Sequence, residues 1–490
     1  MPVPLIFEMS RPGRVGATFP SPDVPTKPLD ALIPGRFLRE KPPRLPEVSE
    51  NEVVRHFVNM SVMNHHIDRA MYPLGSCTMK YNPKVNEVVA RLPGFAAAHP
   101  LAPEEVSQGL LWLIYELERA LCDITGFAAA TLQPPAGAQS ELAGLLVMRA
   151  YHAKRKHRKT HVLLPDSAHG TNPASATLAG YESAHVKSGP DGRISMDALR
   201  AAINDETAGL MITNPNTLGL FETHVREIAE LVHAADGLVY MDGANLNALL
   251  GIAKPALTDV DMCHINLHKT FATPHGGGGP GGGCLAVAER LVPFLPVPRV
   301  VKEPAPGGDE RYRWTWDRPD TIGKVHGFWG NVGMMIRAYA YIRMLGAEGL
   351  ERVSRAAIIN SNYLFSLIKD LFRVPYEGPY MHEFVVSGDR QKEARGVRTL
   401  DVAKRLLDFG VYAPTVYFPL IVSEALMIEP TESEPKESIE NYAAILRAIA
   451  KEVDESPDVV LGAPHATPVG RVDEVRAARQ PDLRYPFPEN

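Results

Sequence analysis

The sequence Asn266-Leu267-His268-Lys269-Thr270-Phe271-Ala272-Thr273-Pro274-His275 is followed directly by seven glycines and one proline, residues 276–283. Glycine lets the backbone approach a ligand closely and adopt dihedral angles that other residues avoid. A lysine held beside such a loop can lose its proton and attack a carbonyl carbon as a free amine. This stretch therefore predicts that Lys269 bonds covalently to the carbonyl group of a bound cofactor.

Short apolar runs alternate with helical patterns around this stretch. The runs cover residues 162–164, 210–212, 238–241, 263–265 and 285–287. Apolar residues at helical spacing predict a helix over 103–124. Further helices are predicted over 138–155 and 225–235 and from about residue 173. Strands of continuous apolar sequence that alternate with helices form a mostly parallel sheet covered on both faces, so we predict an α/β fold. Ligands bind such sheets at the carboxyl ends of the strands.

Asp242 lies directly after the run 238–241, and Lys269 follows it by 27 residues, after the next run. The ends of parallel strands meet at one edge of a sheet, so the two side chains can lie close together. A carboxylate there could keep the pyridine nitrogen of pyridoxal 5'-phosphate (PLP) protonated, and the aldehyde of PLP is the carbonyl that Lys269 would attack. Asp242-Gly243 alone is equally a common turn pair. The order of aspartate and lysine favours PLP.

Two further side chains follow predicted strands. His169 comes after the run 162–164 and could stack on the cofactor ring, although a lone histidine is more often a loop or capping residue. Thr213 follows the run 210–212 and offers a hydroxyl to the ring hydroxyl, in a segment that is first of all turn-forming. Their position at strand ends predicts that both face the ligand.

Gly137, Ala138 and Gln139 open the helix predicted over 138–155. Free N–H groups and the dipole at a helix start bind anions, so these residues are candidates for the PLP phosphate, although a capped helix start has the same pattern. His268, directly before Lys269, is assigned to the same site.

The length of 490 residues predicts more than one domain. We expect an N-terminal arm and helical segment over 1–100, a large PLP-binding domain over 101–340 and a small α+β domain over 341–490. The prolines concentrated in 1–50 and 292–320 predict extended arms, because proline is excluded from helix interiors and central strands. Later elements are predicted as helices 51–70, 331–346, 350–371, 399–409 and 436–453 and strands 382–387 and 424–428.

Composition excludes several classes of protein. The formal net charge of −6 is spread along the chain, so no basic stripe indicates nucleic-acid binding. No apolar run approaches the roughly 20 residues of a membrane helix, and the N-terminus lacks the pattern of a secretory signal. The four cysteines form no CxxC pair, which is typical of a reduced cytoplasmic protein without a zinc site.

Two other interpretations of local motifs fail. The glycine run resembles a nucleotide-binding loop, but it lacks the Gly-Lys-Ser/Thr ending and its lysine precedes the glycines. His65, His66 and Cys77 could suggest a metal, but no further ligand has suitable spacing, so no metal site is predicted.

Five segments together resemble glycine decarboxylase, the P-protein family of the glycine cleavage system, whose members have the aspartate-aminotransferase-like fold of PLP enzymes. The segments are residues 72–80, 167–176, 242–245, 266–279 and 429–434. The resemblance implies that Lys269 holds PLP covalently, that Asp242 keeps the ring protonated and that His169 stacks on it. One departure is Ser140, where the family's phosphate loop has a second glycine.

The resemblance also implies partners. Many members of the family are about twice this length, so the chain resembles subunit 2 of the two-subunit form and implies a subunit 1 in an α2β2 assembly. The reaction implied is decarboxylation of glycine, with transfer of the aminomethyl group to the lipoyl arm of the H-protein. We further expect the glycine run to leave room for that arm.

Two alternatives keep part of this picture. A PLP-dependent amino-acid decarboxylase could act without a lipoyl partner, and H-protein-independent activity would favour it. A non-catalytic protein could share the fold, but the intact Lys269, Asp242 and His169 argue against a decayed site.

Overall fold

The computed structural model describes residues 3–274 and 280–487 of the chain. Residues 275–279, which include the first four glycines of the predicted loop, lie outside the described residues. The chain divides into two compact units, one formed by Met1–Arg69 with Pro464–Asn490 and the other by Ala70–Ala463. The three-part division expected from the sequence stays a prediction.

The first unit joins the two ends of the chain. The ring of Phe7 stacks on Tyr485 at 4.8 Å between centroids and meets the edge of Phe487 at 5.4 Å. Its longest helix begins after Ser49, whose N–H donates to the Glu52 carboxylate at 2.9 Å in the pattern that caps helix starts.

A sheet of seven strands dominates the second unit, in the order β1-β7-β6-β5-β4-β2-β3. The strands are β1 Ala129–Thr131, β2 His161–Pro165, β3 Glu182–Val186, β4 Thr207–Thr213, β5 Leu238–Gly243, β6 Met262–Asn266 and β7 Gly283–Val287. Paired strands are parallel from β3 to β6, and β7 is antiparallel to both of its neighbours. The predicted aspartate-aminotransferase-like α/β fold with a mostly parallel sheet is confirmed.

Helices cover both faces of this sheet and continue into the C-terminal part. In chain order the helices are α1 Leu29–Leu32, α2 Glu50–Val62, α3 Lys84–Ala90, α4 Pro93–Ala96, α5 Glu104–Thr125, α6 Gly137–Lys154, α7 Thr171–Leu178, α8 Met196–Ala202, α9 Val225–Ala234, α10 Leu267–Thr270, α11 Val332–Ile368, α12 Asp389–Arg395, α13 Thr399–Asp408, α14 Lys436–Glu455, α15 Pro457–Gly462 and α16 Glu474–Arg479. Among the described residues, no helix is long and apolar enough to cross a membrane.

Successive residues of a central strand belong to different hydrophobic clusters, one on each face of the seven-stranded sheet. On β4, Leu210 and Ile212 belong to a cluster with the apolar side of α5, whereas Met211 belongs to a cluster with α6. Successive side chains of a strand point to opposite faces, so a strand covered by helices on both sides must be apolar throughout. This explains why the apolar runs in the sequence predict the central strands correctly.

A smaller antiparallel sheet follows, in the order β10-β12-β11. The remaining strands are β8 Arg299–Pro304, β9 Glu310–Thr315, β10 Phe384–Ser387, β11 Thr415–Val416 and β12 Ala425–Ile428. The helices predicted over 331–346 and 350–371 form the single span α11, interrupted at Gly346, whose φ of 63° is outside the helical range.

The sequence did not predict several strands that lie outside its apolar runs. Strand β3 has exposed or half-buried residues at four of its five positions, so no apolar run marks it. Strand β1 is only three residues long. The proline-rich stretch 292–320, predicted to be an extended arm, contains the antiparallel pair β8–β9.

Gly219, in the loop after β4, packs against the backbone of Glu383 beside the small sheet. A substitution at Gly219 therefore tests how tightly this loop and the sheet pack. Its φ is +77°, and a Cβ atom there would overlap the carbonyl oxygen of Glu383. Gly219→Ala should cost about 2 kcal/mol or more of unfolding free energy. Gly410→Ala is the control, because Gly410 also has a positive φ (+74°) but open space around it, and should cost about 1 kcal/mol. Equal losses of melting temperature in the two variants would contradict this packing.

Candidate active site

The register of three parallel strands sets the floor of the site. Thr213 pairs with Asp242, and Asp242 pairs with His264, at the carboxyl ends of β4, β5 and β6. Residues paired across neighbouring strands point to the same face, so the three side chains form a row. They line one cavity together with other residues, which are Ser76, Gly137, Ala138, Glu141, His169, Thr171, Thr217, Ala244, Asn245, Asn266 and Lys269.

The structure brings most of the predicted site residues to this cavity. Those that line it are Lys269, Asp242, His169, Thr213, Gly137 and Ala138. Gln139 is exposed in the first turn of α6, and His268 accepts a hydrogen bond from the N–H of Gly282 at 3.2 Å. Neither is among the described residues that line the cavity, and their cofactor roles stay predictions.

Lys269 lies in the one-turn helix α10, which begins directly where β6 ends. Its Nζ donates to the carbonyl oxygen of Ser76 at 2.7 Å. The amine is therefore held at a defined place on the cavity wall, although Ser76 lies 193 residues earlier in the chain.

Asp242 is 3% exposed and is oriented by two groups. Its Oδ1 accepts from the N–H of Ala244 at 2.9 Å and lies 3.2 Å from Nε2 of His264. Burial lowers the pKa of His264, so its ring is neutral. Nε2 of His264 thus contacts Asp242, while its Nδ1 forms a hydrogen bond with the hydroxyl of Tyr240 at 2.8 Å. Tyr240 therefore fixes the ring of His264 beside the carboxylate.

Glu141 adds a second acid beside Asp242. One of its carboxylate oxygens lies within 4.8 Å of ligand atoms of Asp242 and His264. The hydroxyls of Thr171 and Ser175 donate to Glu141 at 2.9 and 3.2 Å. Burial, and then the charge of Asp242, raise the pKa of Glu141 to about 8. Glu141 therefore holds a proton at neutral pH.

His169 presents a fixed, neutral ring to the cavity. Its Nδ1 accepts from the N–H of Thr171 at 3.2 Å, and its ring meets the edge of Phe418 at 5.5 Å between centroids. Burial lowers the pKa of His169, which favours the uncharged form. A neutral ring held on two sides is suited to stacking against a flat ligand.

The start of α6 is open to an anion. Ala136 precedes it without a side-chain cap, which leaves the first-turn N–H groups available to a ligand. A Cβ atom at Gly137 would overlap the side chain of Asn266, so a larger residue there would have to displace that side chain. Among the described residues, buried Asn245 Oδ1 and Asn266 Oδ1 have no hydrogen-bond partner, although both residues line the cavity. Unsatisfied buried polar atoms in a cavity are typical of a ligand site.

The sequence did not identify all residues of this site. His264 lies inside an apolar strand, and only the register with β5 shows that it faces Asp242. Glu141 lies in the first turns of α6, and its raised pKa depends on burial, which local sequence does not show. Ser76 belongs to a segment whose similarity to the family was recognised without a role.

Glu141 makes the stability of the chain without cofactor depend on pH. Folding raises its pKa from the ordinary value of 4.5 to about 8. Between these values the folded chain binds more protons than the unfolded chain, so the free energy of unfolding falls as pH rises. Glu141→Gln has no proton to lose, so the melting temperature of the parent should fall relative to that of this variant as pH rises from about 5 to about 8. A constant difference would contradict the assignment, and Glu437→Gln, at an exposed position, is the control.

Two family models match the chain. "Glycine cleavage system P-protein" matches residues 26–304, more than half of the chain, and "Glycine dehydrogenase, C-terminal domain" matches residues 353–463. Among solved structures, glycine decarboxylase (P-protein) of the glycine cleavage system in inhibitor-bound form has a TM-score of 0.74 at 21% identity, covering 86% of this chain and 94% of that one. Glutamate decarboxylase of Lactobacillus brevis has a TM-score of 0.63 at 14% identity, with coverage of 86% and 97%. At these identities the structural likeness shows the fold alone.

Curated relatives extend over almost the whole chain. A protein of Chlorobium chlorochromatii is 57% identical, covering 98% of this chain and 99% of its own length. A protein of Halalkalibacterium halodurans is 55% identical, covering 98% of each. Both are named probable glycine dehydrogenase (decarboxylating) subunit 2. With this identity over its whole length, the chain belongs to the P-protein family of the glycine cleavage system.

Proposed function

We propose that this chain is the PLP-bearing subunit of a two-subunit glycine decarboxylase. It decarboxylates glycine and transfers the remaining aminomethyl group to the lipoyl arm of an H-protein. The observation that carries the proposal is one cavity lined by the amine of Lys269, the carboxylate of Asp242 and the uncapped start of α6. These three groups match the aldehyde, the ring nitrogen and the phosphate of PLP.

The cavity offers a suitable group for each part of PLP. Lys269 would hold the cofactor covalently, and the backbone N–H groups of Gly137 and Ala138 would bind the phosphate. Thr213 offers a hydroxyl to the ring, and His169 a flat face. PLP bound here would supply an electron sink for the electron pair left when glycine loses carbon dioxide.

We assign to Asp242 the role of keeping the ring nitrogen of PLP protonated. The N–H of Ala244 donates to this carboxylate, and Nε2 of His264 lies 3.2 Å from it. The raised pKa of the neighbouring Glu141 leaves that group mostly protonated at neutral pH. The burial of Asp242 strengthens its electrostatic effect, because little water screens it.

The proposal extends to partners. The name "subunit 2" carried by the relatives implies a two-subunit form. We therefore propose that this chain assembles with a subunit 1 in an α2β2 tetramer and receives the lipoyl arm of an H-protein. The glycines at 276–279 that were expected to leave room for this arm lie outside the described residues.

The covalent role of Lys269 has a direct test. Borohydride should fix PLP to the peptide that contains Lys269, and Lys269→Ala should lose both this label and the yellow colour of the bound cofactor. Lys369→Ala, at an exposed lysine, should keep both. Cofactor fixed mainly to another lysine of the parent chain would contradict the assignment.

Asp242→Asn separates binding from catalysis. The variant should still bind PLP but lose about 100-fold or more of glycine–carbon dioxide exchange measured with H-protein, because the charge that keeps the ring protonated is gone. Exchange at the parent rate would show that Asp242 is only a turn residue. Parent activity that does not depend on H-protein would instead favour a decarboxylase without a lipoyl partner.

A further inference from the structure

The segment Ser76–Lys80, here called the strap, has a backbone that its residue types do not favour. Ser76 and Thr78 have positive φ angles of 63° and 42°. For residues other than glycine this left-handed region costs about 1–2 kcal/mol each. Such conformations persist where the surroundings hold them in place, and they cluster at functional sites.

Two buried glutamates of the small sheet hold the strap. Glu383 Oε2 accepts from the N–H of Ser76 at 2.7 Å, and Glu429 Oε2 accepts from the N–H of Thr78 at 3.1 Å. The glutamates flank the paired residues Phe384 and Ile428 of β10 and β12, so they project from the same end of this sheet. Both are fully buried, and carboxylates take this position only with strong donors.

A buried ion pair fixes the far end of the strap. Nζ of Lys80 lies 2.6 Å from the carboxylate of Glu432, and both side chains are nearly inaccessible to solvent. The same Nζ donates to the carbonyl oxygen of Thr270 at 2.8 Å. Three glutamates of the small domain therefore contact every second residue of the strap.

The strap in turn holds the catalytic lysine. Ser76 provides the carbonyl oxygen that accepts from Lys269 Nζ, and Lys80 binds the carbonyl of the next residue, Thr270. Residues 269 and 270 are thus fixed from one segment more than 180 positions away. No described cap or side chain of α10 itself provides this support.

We propose that Glu383 and Glu429 are positioning residues that place the amine of Lys269 for its attack on PLP, acting through the strap. This rests on the proposed function, in which Lys269 bonds to PLP. Neither glutamate forms a described hydrogen bond with the amine of Lys269. Their hydrogen bonds to the strap set where the Ser76 carbonyl lies, and Oε1 of Glu383 also accepts from the amide of Asn245 in the cavity wall at 3.5 Å.

The carboxyl groups of Glu383 and Glu429 also interact electrostatically. Burial raises the pKa of Glu429 to about 7, and burial together with the charge of Glu429 raises that of Glu383. The pair therefore keeps a proton near neutral pH. Replacing one member by glutamine imitates its protonated form, whereas replacing both removes the remaining charge.

The test follows the rate at which PLP added to the full chain without cofactor becomes fixed by borohydride to the Lys269 peptide. Glu383→Ala and Glu429→Ala should slow this rate about tenfold or more and spread the label to other lysines, because the amine is displaced. The variants Glu383→Gln and Glu429→Gln, alone or combined, should stay near the parent rate, because the glutamine Oε1 still accepts from the strap N–H groups. Glu437→Ala, an exposed glutamate of the same domain, is the control.

Melting temperatures separate positioning from loss of fold. A folded Ala variant that labels Lys269 at the parent rate would overturn the positioning proposal. The proposed function would still stand in that case, because the parent chain itself labels Lys269. If the Ala variants do not fold, Glu383→Met and Glu429→Met take their place, because they keep the side-chain length without an oxygen acceptor for the strap N–H groups; labelling at the parent rate then overturns the proposal. A parent chain that fixes no PLP on Lys269 would contradict the proposed function itself.

Discussion

The parallel register of β4, β5 and β6 is the constraint on which the site depends. It places Thr213, Asp242 and His264 in one row at a single sheet edge. The chain turns directly from β6 into the short helix with Lys269, so the amine faces the same edge. A shift of one residue in either pairing would send Asp242 or its partner to the opposite face of the sheet.

Buried charge is the second organising feature. Lys269 is half-buried among the carboxyls of Glu141, Asp242, Glu383 and Glu429, all of which are nearly inaccessible to solvent. Four full negative charges could not be buried together, and the raised pKa of three of these groups shows how the structure avoids this. The N–H of Ala244 donates to Asp242, and His264 lies beside it. Asp242 is thus placed where a protonated ring nitrogen would need a carboxylate.

The sequence predicted those parts of the fold and site that local patterns determine. Apolar runs identify the five central strands, because a strand covered on both faces must be apolar throughout, and Lys269 and Asp242 follow two of these runs. The edge strand β3 has no such run. Glu383 and Glu429 could not be found in this way, since their contacts to the strap span 307 and 351 positions and depend on how the small sheet packs. Local sequence carries no information about such pairings.

The most direct measurement is a crystal structure of the chain loaded with PLP. The account predicts continuous density from Lys269 Nζ to the cofactor, with the phosphate at the start of α6 and the ring nitrogen beside Asp242. It also predicts that Ser76 and Thr78 keep their contacts to Glu383 and Glu429. Cofactor bound away from Lys269, or a phosphate placed far from Gly137, would contradict it.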